Sequence, residues 1–316
     1  MKFINLYLLT IVAFLMFSCN QQKKEKLIIF HAGSLSVPLK QIAEEFMKEN
    51  PDVEIEMEAA GSRNSARKIS DLKKPCDIMA SADYKVIEDI LMPNYTNWYI
   101  NFVSNEMTIT YTKKSRYSGE INENNWFEIL QKEDVAYGRS DPNADPCGYR
   151  TELCMQLAEK YYNKPGLAKA VLDKDSRFIR PKETDLLGLL ESNSIDYIFI
   201  YRSVAEQHNL EYLILPDSIN LKLPELNDYY SKTSTQISGK TPNETVIQKG
   251  EAMVYGLTII NNAPNKALAI KFLEYLLDQN KGMKIMERNG QPSIIPSESP
   301  FYENIPNELK KFSKKK

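Results

Sequence analysis

Small hydroxylic residues follow two apolar runs near the amino terminus, at the points where each run gives way to a helical pattern. The first is FHAGSLSVP (30–38), with Gly33 and Ser34, and the second is EAAGSRNSA (58–66), with Ser62. The start of a helix presents unpaired backbone N–H groups and the positive end of the helix dipole. Serine hydroxyls at such a place add further donors, so these turns favour the binding of a small anion.

A third helix start carries a carboxylate. In DPCGYR (145–150), Asp145 is a good N-cap residue, Pro146 suits the first helical position, and Cys147 follows. Glu183 also precedes a helical pattern, where a carboxylate favours the dipole. Taken singly, each of these residues is typical of an ordinary helix cap. Three helix starts that converge would bind an oxyanion without any net positive charge.

Charge and histidine content exclude several functional classes. The 316 residues include 40 Lys and Arg against 42 Asp and Glu, a net charge of -2, whereas a nucleic-acid-binding protein normally has a basic excess. His31 and His208 are the only histidines, too few for a histidine-based metal site. A serine hydrolase is the main enzymatic alternative, but the chain has no G-x-S-x-G motif. We therefore predict that the protein is not an enzyme and has no cofactor.

The amino terminus has the pattern of a bacterial lipoprotein signal. Lys2 precedes an apolar run that is too short for a comfortable membrane span and ends in a small residue before Cys19. We predict a signal peptide over residues 1–18, lipidation of Cys19 and a polar tether over 19–26. The protein would then be exported and held at the cell envelope by its lipid anchor, although an uncleaved anchor or an ordinary signal peptide is an alternative.

Besides the lipidated Cys19, the predicted mature chain has three cysteines, an odd number that does not suit a disulfide framework: Cys76, Cys147 and Cys154. The last two lie seven residues apart on one predicted helix, about 10 Å along its axis and too far for a bridge. We predict that all three are thiols.

The remaining pattern alternates strands and helices, which predicts an α/β fold with mixed or parallel sheets. Strand patterns occupy residues 27–31, 53–58, 76–80, 106–112, 134–138, 196–201, 212–216 and 252–260. Helical patterns follow most of these strands, including a long one that begins near Cys147 and a late one entered through Pro264.

Six motifs, in this order along the chain, resemble those of the tungstate/molybdate-binding proteins of ABC transporters, particularly the archaeal type. They are HAGSLSVP (31–38), EAAGSRNSARKI (58–69), ASADY (80–84), SDPNADPCGYRT (140–151), RPKETDLL (180–187) and DYIFIYRSVAEQH (196–208). The resemblance extends from about Leu27 to Pro300. It implies a two-lobed fold of the periplasmic-binding type II kind, each lobe a mixed sheet flanked by helices, with one oxyanion in the cleft between them.

The resemblance also implies a set of oxyanion-binding residues, namely Gly33, Ser34, Ser62, Asp145, Pro146, Cys147, Glu183 and Tyr201. Two carboxylates beside a dianion would repel it strongly. In the family, both carboxylates bind the tungsten or molybdenum centre, which expands its coordination. By resemblance, Asp145 and Glu183 would therefore exclude sulfate, whose sulfur does not accept added ligands comparably.

We expect lobe 1 to comprise residues 27–108 and 261–316, and lobe 2 residues 109–260, with hinge strands near 108–112 and 257–261. The expected partners are an ABC permease with its ATPase subunit, a small oxyanion, and the membrane through the lipid anchor only, with no nucleic acid. We expect a monomer. The preference between tungstate and molybdate stays open. A carrier of sulfate, phosphate or another tetrahedral oxyanion is the alternative, and a purely adhesive lipoprotein is another.

Overall fold

The computed structural model describes residues 24–174, 176–241 and 243–316. The predicted signal peptide, Cys19 and most of the predicted tether lie outside these residues. None of the helices in the described part of the chain is long and apolar enough to cross a membrane.

Strands and helices alternate along most of the described chain. The strands are β1 (Glu25–Ala32), β2 (Val53–Ala60), β3 (Ile78–Ser81), β4 (Ile100–Ser104), β5 (Met107–Tyr111), β6 (Tyr137–Ser140), β7 (Ile179–Arg180), β8 (Tyr197–Tyr201), β9 (Glu211–Ile214), β10 (Ser234–Ser238), β11 (Thr245–Lys249), β12 (Val254–Ile259), β13 (Ser297–Ser299) and β14 (Ser313–Lys315). The α-helices are α1 (Ser36–Glu49), α2 (Ser62–Ser70), α3 (Tyr84–Val86), α4 (Trp126–Leu130), α5 (Pro146–Tyr161), α6 (Leu167–Lys174), α7 (Leu187–Glu191), α8 (Arg202–Gln207), α9 (Asp217–Asn220), α10 (Asn227–Tyr230), α11 (Lys266–Leu277) and α12 (Gly282–Arg288).

Shorter helical turns fill several of the connections. A π-helical turn, Ile87–Leu91, extends α3, and 3-10 turns occupy Gly33–Leu35, Ser176–Phe178, Glu183–Leu186, Pro224–Leu226, Tyr302–Asn304 and Asn307–Phe312.

The first sheet has the strand order β2-β1-β3-β12-β4. Strands β2, β1 and β3 run parallel, and β12 is antiparallel to both of its neighbours. Helix α1 covers this sheet because Leu39, Ile42 and Phe46 recur at helical spacing on one face and are buried. The helix ends at Glu49, just before Pro51, which cannot continue it.

The second sheet repeats the same arrangement with other strands, in the order β7-β6-β8-β5-β9. Strands β7, β6 and β8 are parallel, and β5 is antiparallel to β8 and β9. The YIFIY sequence of β8 is buried throughout, as the continuous apolar run predicts. The two mixed sheets with flanking helices are the two lobes that the sequence predicts.

The chain crosses between the sheets twice, and these crossings correct the expected lobe boundaries. Strand β5 begins at Met107, so residues 105–106 form the first crossing. Strand β12 pairs with β3 and β4, so residues 252–260 belong mainly to the first sheet and not, as expected, to lobe 2. The second crossing is therefore residues 250–253. The pattern of β12 was correct, but a strand's sheet depends on pairing partners that its own sequence does not specify.

Most predicted elements are present, with shifted ends. The strand expected at 134–138 lies instead at Tyr137–Ser140, and the helix expected from Thr184 begins as a 3-10 turn at Glu183. Strands β4 and β7, the β10–β11 hairpin and the β13–β14 pair were not predicted. The three cysteines of the described chain are free and buried, which confirms their prediction as thiols.

Candidate functional site

Loops at the carboxyl ends of the parallel strands bring the predicted site residues together. In open α/β sheets this edge is the usual place for a ligand. Gly33 and Ser34 follow β1, Ser62 opens α2 after β2, Asp145 and Pro146 lie between β6 and α5, Glu183 follows β7, and Tyr201 ends β8. The site therefore draws on both lobes.

The lobes contact each other closely at two glycines of the first lobe. A Cβ atom built on Gly33 would lie 2.9 Å from both carboxylate oxygens of Glu183. A Cβ atom on Gly61 would lie 2.5 Å from the carbonyl oxygen of Ala144 and 2.6 Å from that of Pro181. Only glycine allows the second-lobe loops to approach this closely. The structure therefore has its cleft closed.

The two predicted carboxylates are adjacent and fully buried. Asp145 caps α5: its Oδ1 accepts a hydrogen bond from the backbone N–H of Cys147 (3.2 Å), and its Oδ2 accepts one from the backbone N–H of Glu183 (2.8 Å). Pro146 occupies the first helical position, as predicted. Within the described residues, neither carboxylate oxygen of Glu183 has a hydrogen bond of good geometry, although the side chain is only 1% exposed. The backbone of Ser34 and the Asp145 carboxyl lie close to it without a well-aligned contact. A buried, unpaired carboxylate is costly, which points to an interaction with a ligand.

Burial and mutual repulsion control the ionisation of this pair. Burial raises the pKa of Glu183 well above its ordinary value, and the nearby Asp145 carboxylate raises it further. Burial also raises the pKa of Asp145, although the hydrogen bonds that Asp145 accepts oppose this increase. In the closed arrangement without a positive partner, the pair therefore holds protons more tightly than exposed carboxyl groups do.

Hydroxyl groups make up the other half of the site. Ser34 Oγ lies 2.9 Å from Tyr255 Oη, and Ser62 Oγ accepts the backbone N–H of Ala82 at 3.0 Å. Tyr201 Oη accepts a hydrogen bond from Arg150 Nη1 at 3.2 Å. All four of these hydroxyl-bearing residues are buried.

A buried ion pair joins the lobes beside these hydroxyls. Arg150 of α5 donates from Nη2 to Asp83 Oδ2 of the first lobe (3.0 Å) and from Nη1 to the carbonyl oxygen of Ala82 (2.8 Å). Tyr149 donates its hydroxyl to the same Asp83 oxygen at 2.6 Å. We call Asp83, Tyr149 and Arg150 the interlobe ion-pair cluster.

Two further arginines close the rim of the cleft. Arg67 of α2 donates to the carbonyl oxygens of Asn143 (3.0 Å) and Gly239 (3.0 Å) and to Ser238 Oγ (2.8 Å), all in the second lobe. Arg63 donates to the carbonyl oxygens of Asn143 and Ser238.

Sequence reasoning missed the residues that hydrogen-bond to the predicted site residues, or to one another beside them, without being predicted ligands themselves. Arg150 lies within a quoted motif, and its place one turn into a helix could have suggested an inward-facing cation. Asp83 also lies within a quoted motif, ASADY (80–84), but nothing there indicated its partner on α5. Tyr255 and Asn105 carried no such signal, because their partners are far away in the sequence.

Other candidate groups lie outside the site or cannot form a metal centre. Burial lowers the pKa of His31 to about 4, and its Nδ1 lies 2.8 Å from the carbonyl oxygen of Ala32, so this side chain is a neutral core residue. The described residues contain no cluster of three or more His, Cys, Asp and Glu side chains that could hold a metal ion. The carboxylate pair supplies only two such ligands.

Comparison with known proteins identifies relatives over nearly the whole described chain. Residues 27–291 match the family model described as bacterial extracellular solute-binding protein. An uncharacterized solute-binding protein of Petrotoga mobilis is 51% identical over 92% of this chain and 90% of its own length. The molybdate/tungstate-binding protein WtpA of Pyrococcus abyssi is 46% identical over the same shares of the two chains.

A solved structure shows the same fold at low sequence identity. The periplasmic molybdate-binding protein of Azotobacter vinelandii superposes with a TM-score of 0.58 at 16% identity, covering 84% of this chain and 98% of that one. This likeness confirms the two-lobed type II periplasmic-binding fold.

Proposed function

The chain belongs to the bacterial extracellular solute-binding protein family, and on that premise we propose that it captures tungstate or molybdate and delivers it to an ABC permease. Relatives that are 46% and 41% identical and carry the name molybdate/tungstate-binding protein support this ligand. Delivery to a permease and its ATPase subunit is the role we infer from family membership. The role is transport and not catalysis.

The observation that carries the ligand assignment is the unpaired carboxylate of Glu183 beside Asp145, closed against Gly33 of the opposite lobe. A tetrahedral sulfate or phosphate presents only oxygen atoms to this pair, so ionised carboxylates would repel it. Tungsten and molybdenum can accept added oxygen ligands, so the carboxylates would bind the metal centre of the oxyanion. The repulsion would then be replaced by coordination.

The donors of the site complement this arrangement. Backbone N–H groups at the helix starts, together with the hydroxyls of Ser34, Ser62 and Tyr201, would donate to the oxyanion oxygens. Since the carboxylates belong to the second lobe and the Ser34 and Ser62 hydroxyls to the first, ligand binding would favour the closed cleft, and the closed form is what the permease would recognise.

We also propose that the protein works as a monomer attached to the envelope through lipidated Cys19, with residues 19–26 as the tether. Mass spectrometry of the protein from membranes would test this directly. The expected result is a mature chain that begins at a diacylated cysteine, and a chain that begins elsewhere would overturn the anchor.

Calorimetric titration of residues 20–316 with tungstate, molybdate, sulfate and phosphate tests the ligand assignment. This range contains every residue that the structure describes. Tight one-to-one binding of the first two anions, with little heat from the others, is expected. A preference for sulfate or phosphate would overturn the assignment but keep the fold, and binding of none of the four would overturn the transport role.

Glu183→Gln is the matched variant for this experiment, because it keeps the side-chain shape and removes the ionisable group. We expect it to lose most of its affinity for tungstate and to discriminate less against sulfate. Unchanged values for both anions would mean that Glu183 is not a ligand.

A further inference from the structure

We propose that Asn105 and Arg150 are positioning residues that orient the site hydroxyls as hydrogen-bond donors toward the oxyanion. This inference rests on the proposed function, because it takes Ser34, Ser62 and Tyr201 as contacts of the bound anion. Its evidence is the direction of the hydrogen bond that each of those three hydroxyls makes with the rest of the protein.

The side-chain amide of Asn105 has one possible orientation. Asn105 lies in the first crossing between the lobes, and its Oδ1 accepts the backbone N–H groups of Glu106 (3.0 Å) and Ser203 (3.4 Å). Backbone N–H groups can only donate, so the oxygen must face them. The Nδ2 group therefore points the other way and donates to Ser203 Oγ (2.7 Å) and to Tyr255 Oη (3.0 Å).

This orientation determines the direction of the next hydrogen bond. Tyr255 Oη accepts from Asn105, so its single hydrogen needs another acceptor. Among the described residues, the hydroxyl of Tyr255 has one other partner, Ser34 Oγ at 2.9 Å. Tyr255 thus donates to Ser34, and Ser34 retains its own hydrogen for a further acceptor. We call Asn105, Tyr255 and Ser34 the hydroxyl relay.

The hydroxyls of Ser62 and Tyr201 also accept a hydrogen bond from the protein and keep their own hydrogen, each for an independent reason. Ser62 Oγ accepts from the backbone N–H of Ala82, and Tyr201 Oη accepts from the guanidinium of Arg150. Neither of those donors can accept a hydrogen bond in return. In the part of the chain that the structure describes, the hydroxyls of Ser62 and Tyr201 each have no second hydrogen-bond partner. The hydrogen of each hydroxyl therefore remains available for an acceptor.

Three buried O–H groups are therefore directed away from their protein partners. A buried donor without an acceptor is costly, and an oxyanion supplies acceptor oxygens on all sides. The relay begins at Asn105, in a crossing between the lobes, and passes through Tyr255 to Ser34 in the proposed site. The relay connects the hinge to the ligand.

Asn105→Asp tests the relay by reversing it. The carboxylate has the same shape and still accepts the two backbone N–H groups, but the oxygen that replaces Nδ2 can only accept. Tyr255 would then donate to residue 105, Ser34 would donate to Tyr255, and the anion would lose one donor. We expect a loss of tungstate affinity of about 10- to 100-fold.

A double-mutant cycle with Ser34→Ala separates this mechanism from a general structural or charge effect. The new charge and any structural change affect tungstate binding with or without Ser34. The loss of the Ser34 donor, in contrast, has no further effect once residue 34 is already alanine. We expect the fold-loss of tungstate affinity caused by Asn105→Asp to be at least tenfold smaller in the Ser34→Ala background than in the wild type. Additive losses would overturn the relay.

Two controls make each result interpretable. Asn304→Asp adds the same charge at an exposed side chain of the first lobe, and tungstate affinity should stay within about twofold. If thermal denaturation shows that Asn105→Asp does not fold, the cycle of Tyr255→Phe with Ser34→Ala tests the same relay. At least threefold coupling supports it, and additivity overturns it.

The wild-type titration distinguishes failure of this inference from failure of the proposed function. If the wild type binds another of the four oxyanions, the ligand assignment is wrong, and the same cycle with that anion still tests the relay. If the wild type binds none of them, both the function and the inference are wrong.

Discussion

The two lobes have the same sheet topology but contribute different chemistry at equivalent positions. In the first lobe, the loops after β1 and β2 carry Gly33–Ser34 and Gly61–Ser62. In the second lobe, β6 and β7 occupy the corresponding places, and their loops carry Asp145 and Glu183. The loops of the first lobe supply small residues and serine hydroxyls, and those of the second supply the carboxylates. The Tyr201 hydroxyl, at the end of β8, also belongs to the second lobe.

This difference explains why the proposed site is complete only when the lobes meet. The glycines of the first lobe leave room for the loops and the carboxylate of the second. The second lobe alone lacks the serine donors, and the first lobe alone has no proposed ligand for the metal centre. An open protein would therefore bind the oxyanion weakly. The following experiments test how far binding depends on closure of the two lobes.

The largest effect is expected at Arg150, which has no counterpart in the first lobe. It is the fifth residue of α5, whereas the fifth residue of α1 is the exposed Lys40. Arg150→Met removes the cation that pairs with the buried Asp83 carboxylate and leaves that charge with hydrogen bonds alone, which should destabilise the closed arrangement by about 3–5 kcal/mol. Tungstate titration and small-angle scattering would show weaker binding and a more open protein.

The Asp83→Asn and Arg150→Met double variant is the matched control for this prediction. It removes the uncompensated charge and should recover part of the affinity. An Arg150→Met protein that stays compact and binds tungstate within about threefold of the wild type would contradict the importance of the ion-pair cluster.

Glu183→Ala should weaken tungstate binding by at least about 100-fold, because a coordinating group is lost. Ser34→Ala, which removes one proposed hydrogen bond to the anion, should cost about tenfold in tungstate affinity. Calorimetry of both variants compares the two lobes directly. Equal losses would mean that the carboxylate and the hydroxyl contribute alike, contrary to the proposed coordination.

Gly61→Ala should oppose closure by steric contact alone. The added Cβ atom meets two backbone carbonyl oxygens that cannot rotate away, and overpacking of this kind costs about 1–3 kcal/mol. We expect tungstate affinity to fall by roughly 5- to 100-fold. Gly119→Ala is the control, since nothing lies within 4 Å of its added atom. A Gly61→Ala protein with unchanged affinity would show that the lobes need not approach this closely.

A smaller effect is expected from pH in the ligand-free protein. In the closed arrangement the pKa of Glu183 lies above its ordinary 4.5 and that of Asp145 above its ordinary 3.8. The closed state thus binds protons more tightly than the open or unfolded state. Its stability should be fully present below about pH 4 and decline as pH rises through the raised values, by at most about 1.4 kcal/mol per pH unit for each proton.

Urea unfolding of the ligand-free protein between about pH 4.5 and 8 would measure this decline, and Glu183→Gln should flatten the profile. A stability that instead increases with pH over this range would show that the carboxylates are ionised and stabilised in the closed protein.

The helix starts and the main strands could be predicted because their signals are local. Pro146 after Asp145, and Gly33–Ser34 after an apolar run, specify a turn and a helix start without any other part of the chain. The convergence of these loops did not follow from the strand pattern; it becomes evident in the structure, where parallel strands place their carboxyl ends at one edge. Their assignment to one site came from the resemblance between motifs.

The supporting residues could not be predicted because their roles depend on distant partners. Tyr255 contacts Ser34 across 221 positions and Asn105 across 150. In the sequence, Asn105 is an ordinary polar residue between two strands. The sheet to which β12 belongs was misjudged for the same reason, since pairing with β3 and β4 is a tertiary property.

The rim arginines have a consequence for how fast a ligand arrives. Arg63 and Arg67 bind neutral carbonyl and hydroxyl oxygens across the cleft, and no carboxylate of the described residues forms a salt bridge with either guanidinium. Their positive charges are therefore only partly cancelled, in a chain whose net charge is -2. When the cleft opens, these cations would face solvent at its mouth, where they attract dianions from a distance and raise the rate of encounter at low ionic strength.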